Sequence, residues 1–246
     1  MTRFRSAPVP DPDAPLVESG GPVLLAGGAI SEQNLTVLRD LSRLLGPGTP
    51  LVAADGGAGL ALSAGLHPDI VIGDLDSLTD EHRAQLAPDR LHHISEQETT
   101  DFDKALRRIA APVVLGAGFH GARVDHQLAA FTVLARHPDR PCILVGPEDI
   151  ACLCPPQLDQ AVTPGDWVSL FPLAEVTGRS VGLEWPIDGL SFRPDDRVGT
   201  SNRACADRIE LRIDRPAMLL IQPRRALRPL LSALLTPAAQ WPARAG

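Results

Sequence analysis

The 246-residue chain has no tyrosine, only three Trp and six Phe, four cysteines and no long apolar run. With rings this scarce, any stacking on a ligand falls to the Trp, Phe and His residues. Cys142, Cys152, Cys154 and Cys205 include one C-x-C, and no second pair or neighbouring His completes a zinc set. Spaced two apart in "IACLC", Cys152 and Cys154 share one face of a strand, and buried free thiols are the simplest state for them. No apolar stretch approaches the ~20 residues that a helix needs to span a bilayer. The opening "MTRFRSAPVPDPDAPLVESGG" has Pro and Asp where a signal sequence has its apolar core. Residues 1–20 read as a disordered tail on a cytoplasmic protein. Basic charge is also short, 23 Lys and Arg against 30 Asp and Glu, for a net charge of −7. That balance argues against a nucleic-acid partner. It suits a cationic small molecule, or a phosphorylated one held through metal ions.

What is present is a repeating pattern. "PVLLAGG", "PLVAADGG", "DIVIGD", "LHHIS", "PVVLGAG" and "CILVG" read as strands of a parallel sheet, mostly apolar at their centres. Between them lie helical stretches such as "SEQNLTVLRDLSRLL", where Leu35, Leu38, Leu41, Leu44 and Leu45 have helical spacing. The alternation predicts a layered α/β domain over residues 21–150, with a mainly parallel sheet. Beyond it, "DWVSLFPL", "VGLEWPIDGLSF", "DRIELRID" and "PAMLLIQ" are short β-type runs separated by Pro, Gly and Asp. They predict a small β-sandwich over residues 151–222. Residues 223–246 read as an extension, a short helix followed by a frayed end.

Ligands in open α/β sheets bind beyond the carboxyl ends of the strands. Asp55-Gly56-Gly57, Gly73-Asp74 and the stretch from Gly116 to Gly121 fall there. In "VIGDLDSL", strand alternation points Asp74 and Asp76 to one side. At ~4 Å and an effective dielectric of about 20 their charges repel by roughly 4 kcal/mol, so a cation, a shared proton or open water must relieve them. Asp101, behind Thr99 or Thr100 as the cap in "ETTDFDKAL", adds a third carboxylate to the same rim, whereas Asp103 has a simpler use in favouring the helix dipole. An oxygen-only set without paired His points to Mg²⁺. "GAGFHGARVDHQLA" supplies a glycine-rich turn and Arg123, suited to an anion such as phosphate. His126 reads equally as a helix-start residue.

Taken together, "ADGGAGLALSAGLHPDIVIGDLDSL", "QETTDFDKAL" and "GARVDHQLA" resemble, in order and spacing, the catalytic motifs of the thiamine pyrophosphokinase family. "GRSVGLEWPIDGL" and "GTSNRA" resemble its thiamine-binding segment, so the likeness runs from about residue 22 to residue 222. Ala122 stands where a second Gly is usual, and Ala130 where an Asn commonly follows the DH pair. The resemblance implies a homodimeric thiamine diphosphokinase, with sites shared between subunits. It implies transfer of the β,γ-pyrophosphoryl group of ATP to the thiamine hydroxyl, giving thiamine diphosphate and AMP. Carried over position by position, Asp74, Asp76 and Asp101 hold Mg²⁺. Asp55, Gly56, Gly57, Lys104, Arg123 and His126 meet the nucleotide, and Asp125 joins the catalytic set with Arg123. Gln97 faces the substrate, and Trp185, Ser201 and Asn202 bind thiamine, whose permanent charge suits an aromatic face.

Two other readings compete. D-x-D with Asp74 as nucleophile is also the pattern of haloacid-dehalogenase-type phosphatases, although Leu78 and the position on a third strand depart from it. A non-catalytic thiamine- or nucleotide-binding protein of the same fold is the second.

Overall fold

The apolar runs become strands because a backbone buried on both faces must pair its amides within a sheet. The computed structural model describes residues 2–4, 14–28, 30–121 and 123–243. The chain divides into two compact units, residues 1–133 with 144–147 and residues 134–143 with 148–246.

Unit 1 begins with β1 (Arg3–Phe4), β2 (Val17–Glu18), β3 (Val23–Ala26), α1 (Glu32–Leu45), β4 (Leu51–Ala54), α2 (Gly57–Ser63) and β5 (Ile70–Gly73). It continues with α3 (Asp80–Ala84), β6 (Leu91–His93), α4 (Asp101–Arg107), β7 (Ile109–Ala110), β8 (Val114–Ala117) and most of α5 (Val124–Arg136). Strand β9 (Cys142–Val145) is divided between the units. Strands run in the order β8-β3-β4-β5-β6, all parallel, with Leu25 opposite Val52 and Ala53 opposite Val71. Helix α1 is capped by the Ser31 hydroxyl, which accepts from the Asn34 amide, and it buries Leu35, Val37, Leu38 and Leu41. The start of α2 approaches β3 so closely that a Cβ on Gly57 would lie 2.0 Å from the Ala26 carbonyl oxygen. Only glycine fits there.

Unit 2 holds β10 (Asp149–Leu153), β11 (Gln157–Ala161), β12 (Trp167–Pro172), β13 (Val176–Val181), β14 (Ser191–Phe192), β15 (Gly199–Arg203), β16 (Arg208–Ile213), β17 (Met218–Pro223) and α6 (Leu227–Leu234). Two antiparallel layers form, β15-β12-β17-β10 and β11-β16-β13-β14. Strand β16 alternates strictly, with Ile209, Leu211 and Ile213 buried and Arg208, Glu210 and Arg212 exposed.

The expected architecture is thus present, with corrections at its edges. Residues 14–20 are not a disordered tail: Leu16 and Val17 are buried, and β2 pairs with β7 through Val17 and Ile109. Residues 5–13 lie outside the described ones. The second unit takes in β10, ahead of the expected boundary at 151. The C-terminal extension is likewise packed, since α6 buries Leu227, Leu230 and Leu234. The Trp241 indole donates to the Cys154 carbonyl at 2.9 Å. Cys142, Cys152 and Cys154 are buried free thiols, and burial pushes the Cys152 thiol up to about 12; Cys205 is exposed.

Candidate active site

Three carboxylates converge in unit 1. Asp55 follows β4, Asp74 follows β5, and Asp101 opens α4 behind the Thr100 cap, whose hydroxyl accepts from the Asp103 amide at 3.3 Å. One oxygen from each of Asp55, Asp74 and Asp101 lies within 4.8 Å of the others. Their approach depends on Gly73, where a Cβ would stand 2.7 Å from the Asp55 Cβ and 3.1 Å from Asp101 Oδ1.

Asp76 is not in this group. The expectation that it shares Asp74's side assumed that strand alternation continues, but β5 ends at Gly73 and Leu75 takes a left-handed conformation, φ 61°. Such a conformation costs a non-glycine residue about 1–3 kcal/mol. Burial of the Leu75 side chain among Ala53, Ala58, Val71, Leu78 and Leu86 offsets a cost of that size. Asp76 is left exposed, accepting from its neighbour Ser77 Oγ at 3.1 Å. Asp55, expected among nucleotide contacts, takes its place in the cluster. Asp55 is itself left-handed, φ 42°, and buried.

Lys104, one turn after Asp101, is almost wholly buried, with Nζ 3.0 Å from Asp101 Oδ1 and 3.5 Å from Asp74 Oδ2. Burial alone would lower its pKa, but the bond and charge of Asp101, then Asp74, raise it. Asp101 is pushed above the usual carboxylate range by burial and by repulsion from Asp55 and Asp74, against the pull of Lys104. Asp74 also loses solvent, yet Gln97, the Asp76 amide and Lys104 together hold it below that range. Gln97 Nε2 donates to Asp74 Oδ2 at 3.1 Å, so its partner here is a carboxylate. Asp103 is buried in the first turn of α4 and stays outside the cluster.

Beside the carboxylates opens a cavity of about 600 Å³. Asp55, Gly56 and Asp101 border it at one side, and Arg123, Asp125 and His126 line it from the start of α5. The Arg123 fork grips Asp125 through two bonds, 3.1 and 2.5 Å, both side chains exposed. That grip lowers the Asp125 carboxyl to about 2. Gly28, Phe102, Phe119 and His120 also face the cavity and were not singled out from the sequence. The Phe102 and Phe119 rings stand 4.4 Å apart. Ala130, one of the departures, is buried at its wall; Ala122 lies outside the described residues.

Unit 2 presents a second group. Trp185 is 54% exposed on the loop after β13, so it is not sandwich core. Asn202 is buried, and its amide is engaged at both ends: Oδ1 accepts from the Trp185 and Arg203 amides at 3.2 and 2.8 Å, and Nδ2 donates to the Trp185 carbonyl at 2.7 Å. Asn202 therefore clamps the Trp185 backbone. Ser201 is exposed and left-handed, φ 60°, with its amide held by Ser169 Oγ.

Known proteins share both halves of this pattern. The catalytic domain of thiamin pyrophosphokinase matches residues 42–144, and the vitamin B1 binding domain of the same enzyme matches residues 156–218. The chain belongs to the thiamin pyrophosphokinase family. It is accordingly an enzyme, a thiamine diphosphokinase, and the two matches together span about two thirds of its length. Solved structures carry the same fold. The thiamine pyrophosphokinase from Bacillus subtilis is 20% identical with a TM-score of 0.65, covering 82% of this chain and 98% of its own. That from Geobacillus thermodenitrificans is 21% identical at 0.67, covering 82% and 97%. The enzyme from Candida albicans is 14% identical at 0.66, covering 91% and 99%. No curated protein matches this sequence. Among the described residues, no helix is long and apolar enough to cross a membrane.

Proposed function

We propose that the chain transfers the β,γ-pyrophosphoryl group of ATP to the hydroxyethyl oxygen of thiamine, using Mg²⁺ held by Asp55, Asp74 and Asp101. The observation that carries this reading is the carboxylate cluster. Three converging carboxylates face one lysine, which leaves negative charge for a divalent cation to neutralise. Asp55 Oδ1, moreover, is buried without a hydrogen-bond partner, a state that a cation would relieve. Oxygen donors alone suit Mg²⁺ rather than a softer metal. When bound, it supplies charge neutralisation on the triphosphate and on the oxygens that flank the reacting phosphorus.

The chain's own residues do the rest. Asp125, ionised at any pH well above about 2, is a poor proton acceptor and serves to aim the Arg123 fork. Arg123, which lines the cavity, receives phosphate oxygens in this reading. Gly28 and Gly56 leave room for the nucleotide to approach the backbone. Lys104 keeps the carboxylates from repelling one another until substrate arrives. Attack falls on the β-phosphorus, the bond from the α,β-bridging oxygen to that phosphorus breaks, AMP leaves, and the thiamine hydroxyl proton passes to solvent. Thiamine binding falls to Trp185 and Ser201, with Asn202 holding the tryptophan in place. We also take the active form to be a cytoplasmic homodimer with shared sites, as the motif resemblance implies. Free thiols raised by burial fit a reducing compartment. An aspartyl-phosphatase reading is weaker, because the second Asp that it needs beside Asp74 is turned away by Leu75.

Trp185→Ala tests the thiamine half. Calorimetry should show thiamine affinity lower by about five- to thirtyfold, the loss of a contact worth ~1–2 kcal/mol. Affinity for a non-hydrolysable ATP analogue should stay unchanged. Because the ring is half exposed, melting should move by no more than a few degrees. A large melting loss with unchanged thiamine affinity would return Trp185 to a packing role.

A further inference from the structure

The loop between β6 and α4 carries a device that the catalytic motifs do not include. Ile94 donates its amide to the Gly73 carbonyl at 2.7 Å, which fastens the start of the loop to the end of β5, next to Asp74. Six residues on, Thr100 caps α4, whose first residue is Asp101. Gln97 lies in between and reaches Asp74. An irregular loop has no regular backbone pairing to fix such a side chain, so something else must hold it.

Glu96 holds it. One carboxylate oxygen accepts from Arg107 at 3.1 Å and from the Thr99 hydroxyl, and the other accepts from the Glu98 amide at 3.1 Å. Arg107 is the last residue of α4, the helix that also carries Asp101 and Lys104. The Glu96–Arg107 bond therefore ties the loop bearing Gln97 to the helix bearing Asp101. Neither Glu96 nor Arg107 lines the cavity. Both are partly exposed, with side chains 32% and 23% accessible, so the pair adds little to global stability.

We propose that Glu96, anchored by Arg107, is a positioning residue that sets Gln97 against Asp74 and so orients the carboxylate cluster for its metal. This rests on the metal reading of the cluster given above. Outer partners that orient metal-binding carboxylates typically carry about ten- to a hundredfold in affinity or activity.

The test uses the full chain and Mn²⁺ as a spectroscopic probe. In the absence of substrates, Glu96→Ala should weaken Mn²⁺ binding about tenfold, while melting shifts by no more than a few degrees. In turnover, the Mg²⁺ concentration for half-activation should rise by a similar factor and the thiamine KM should hold. Glu96→Gln keeps one carbonyl acceptor for Arg107 or Thr99 but offers nothing to the Glu98 amide in exchange, so it should recover part of the loss. Arg107→Gln should reproduce the Glu96→Ala defect. Unchanged Mn²⁺ affinity in Glu96→Ala, with wild type binding normally, overturns the positioning role and leaves the cluster reading intact. Loss of stability without any change in metal dependence overturns it likewise. Failure of wild type itself to bind Mn²⁺ overturns both.

Discussion

Asp101→Asn is expected to lower kcat by about a hundredfold or more with Mg²⁺ saturating, and Asp55→Asn and Asp74→Asn to follow it. A hundredfold corresponds to ~2.7 kcal/mol of lost transition-state stabilisation, within the several kcal/mol that a metal supplies in phosphoryl-type transfer. The fold should survive. Burial and neighbouring carboxylates raise the Asp101 pKa, so its proton stabilises the fold only at low pH. That contribution is lost as pH rises through the raised value, and at neutral pH the ionised group is a burden that asparagine removes. Lys104, raised through the same contact, loses a partner in the exchange. The two effects oppose, and melting at pH 7 should move by only a few degrees. Near-normal Mg²⁺-dependent turnover in any of the three variants would refute the metal assignment.

The second large effect concerns assembly. Asp101→Asn should be nearly inactive and the double variant Trp185→Ala/Asn202→Ala should turn over slowly at subsaturating thiamine, and co-refolding them should restore activity under that condition. If each site draws its carboxylates from one subunit and its thiamine contacts from the partner, a mixed dimer has one site with both defects and one with none. Random pairing makes about half the dimers mixed, so about a quarter of all sites should be intact. Sites confined to single chains would each keep one defect, and proven heterodimers would then recover nothing.

Much of this was legible in the sequence, because periodicity reports burial directly. Apolar runs this short, bounded by Gly, Pro and Asp, read as strands covered on both faces, and the leucine spacing of α1 as one helical stripe. Asp74 and Asp101 were legible as neighbours in one carboxylate cluster because each follows a strand or opens a helix at the rim of the sheet. Asp76 was misread for a local reason. Whether alternation continues past Gly73 depends on Leu75 being drawn into an apolar cluster that includes Leu78 and Leu86, and no two-residue rule contains that. Asp55 was seen as part of a glycine turn, and its entry into the cluster depends on the missing side chain at Gly73. The grip of Asn202 on the Trp185 backbone was not legible, because it comes from pairing across seventeen residues. The short helix of the C-terminal extension was legible, but its packing and that of Trp241 were not. "LRPLLSALL" has an apolar face, but nothing local says that a sheet awaits it.

The identity of the nucleotide product tests the central claim most directly. Incubated with thiamine, ATP and Mg²⁺, the enzyme should release AMP and thiamine diphosphate one for one, with no turnover when EDTA removes the metal. Release of ADP with thiamine monophosphate, or of inorganic phosphate through an aspartyl adduct on Asp74, would contradict it.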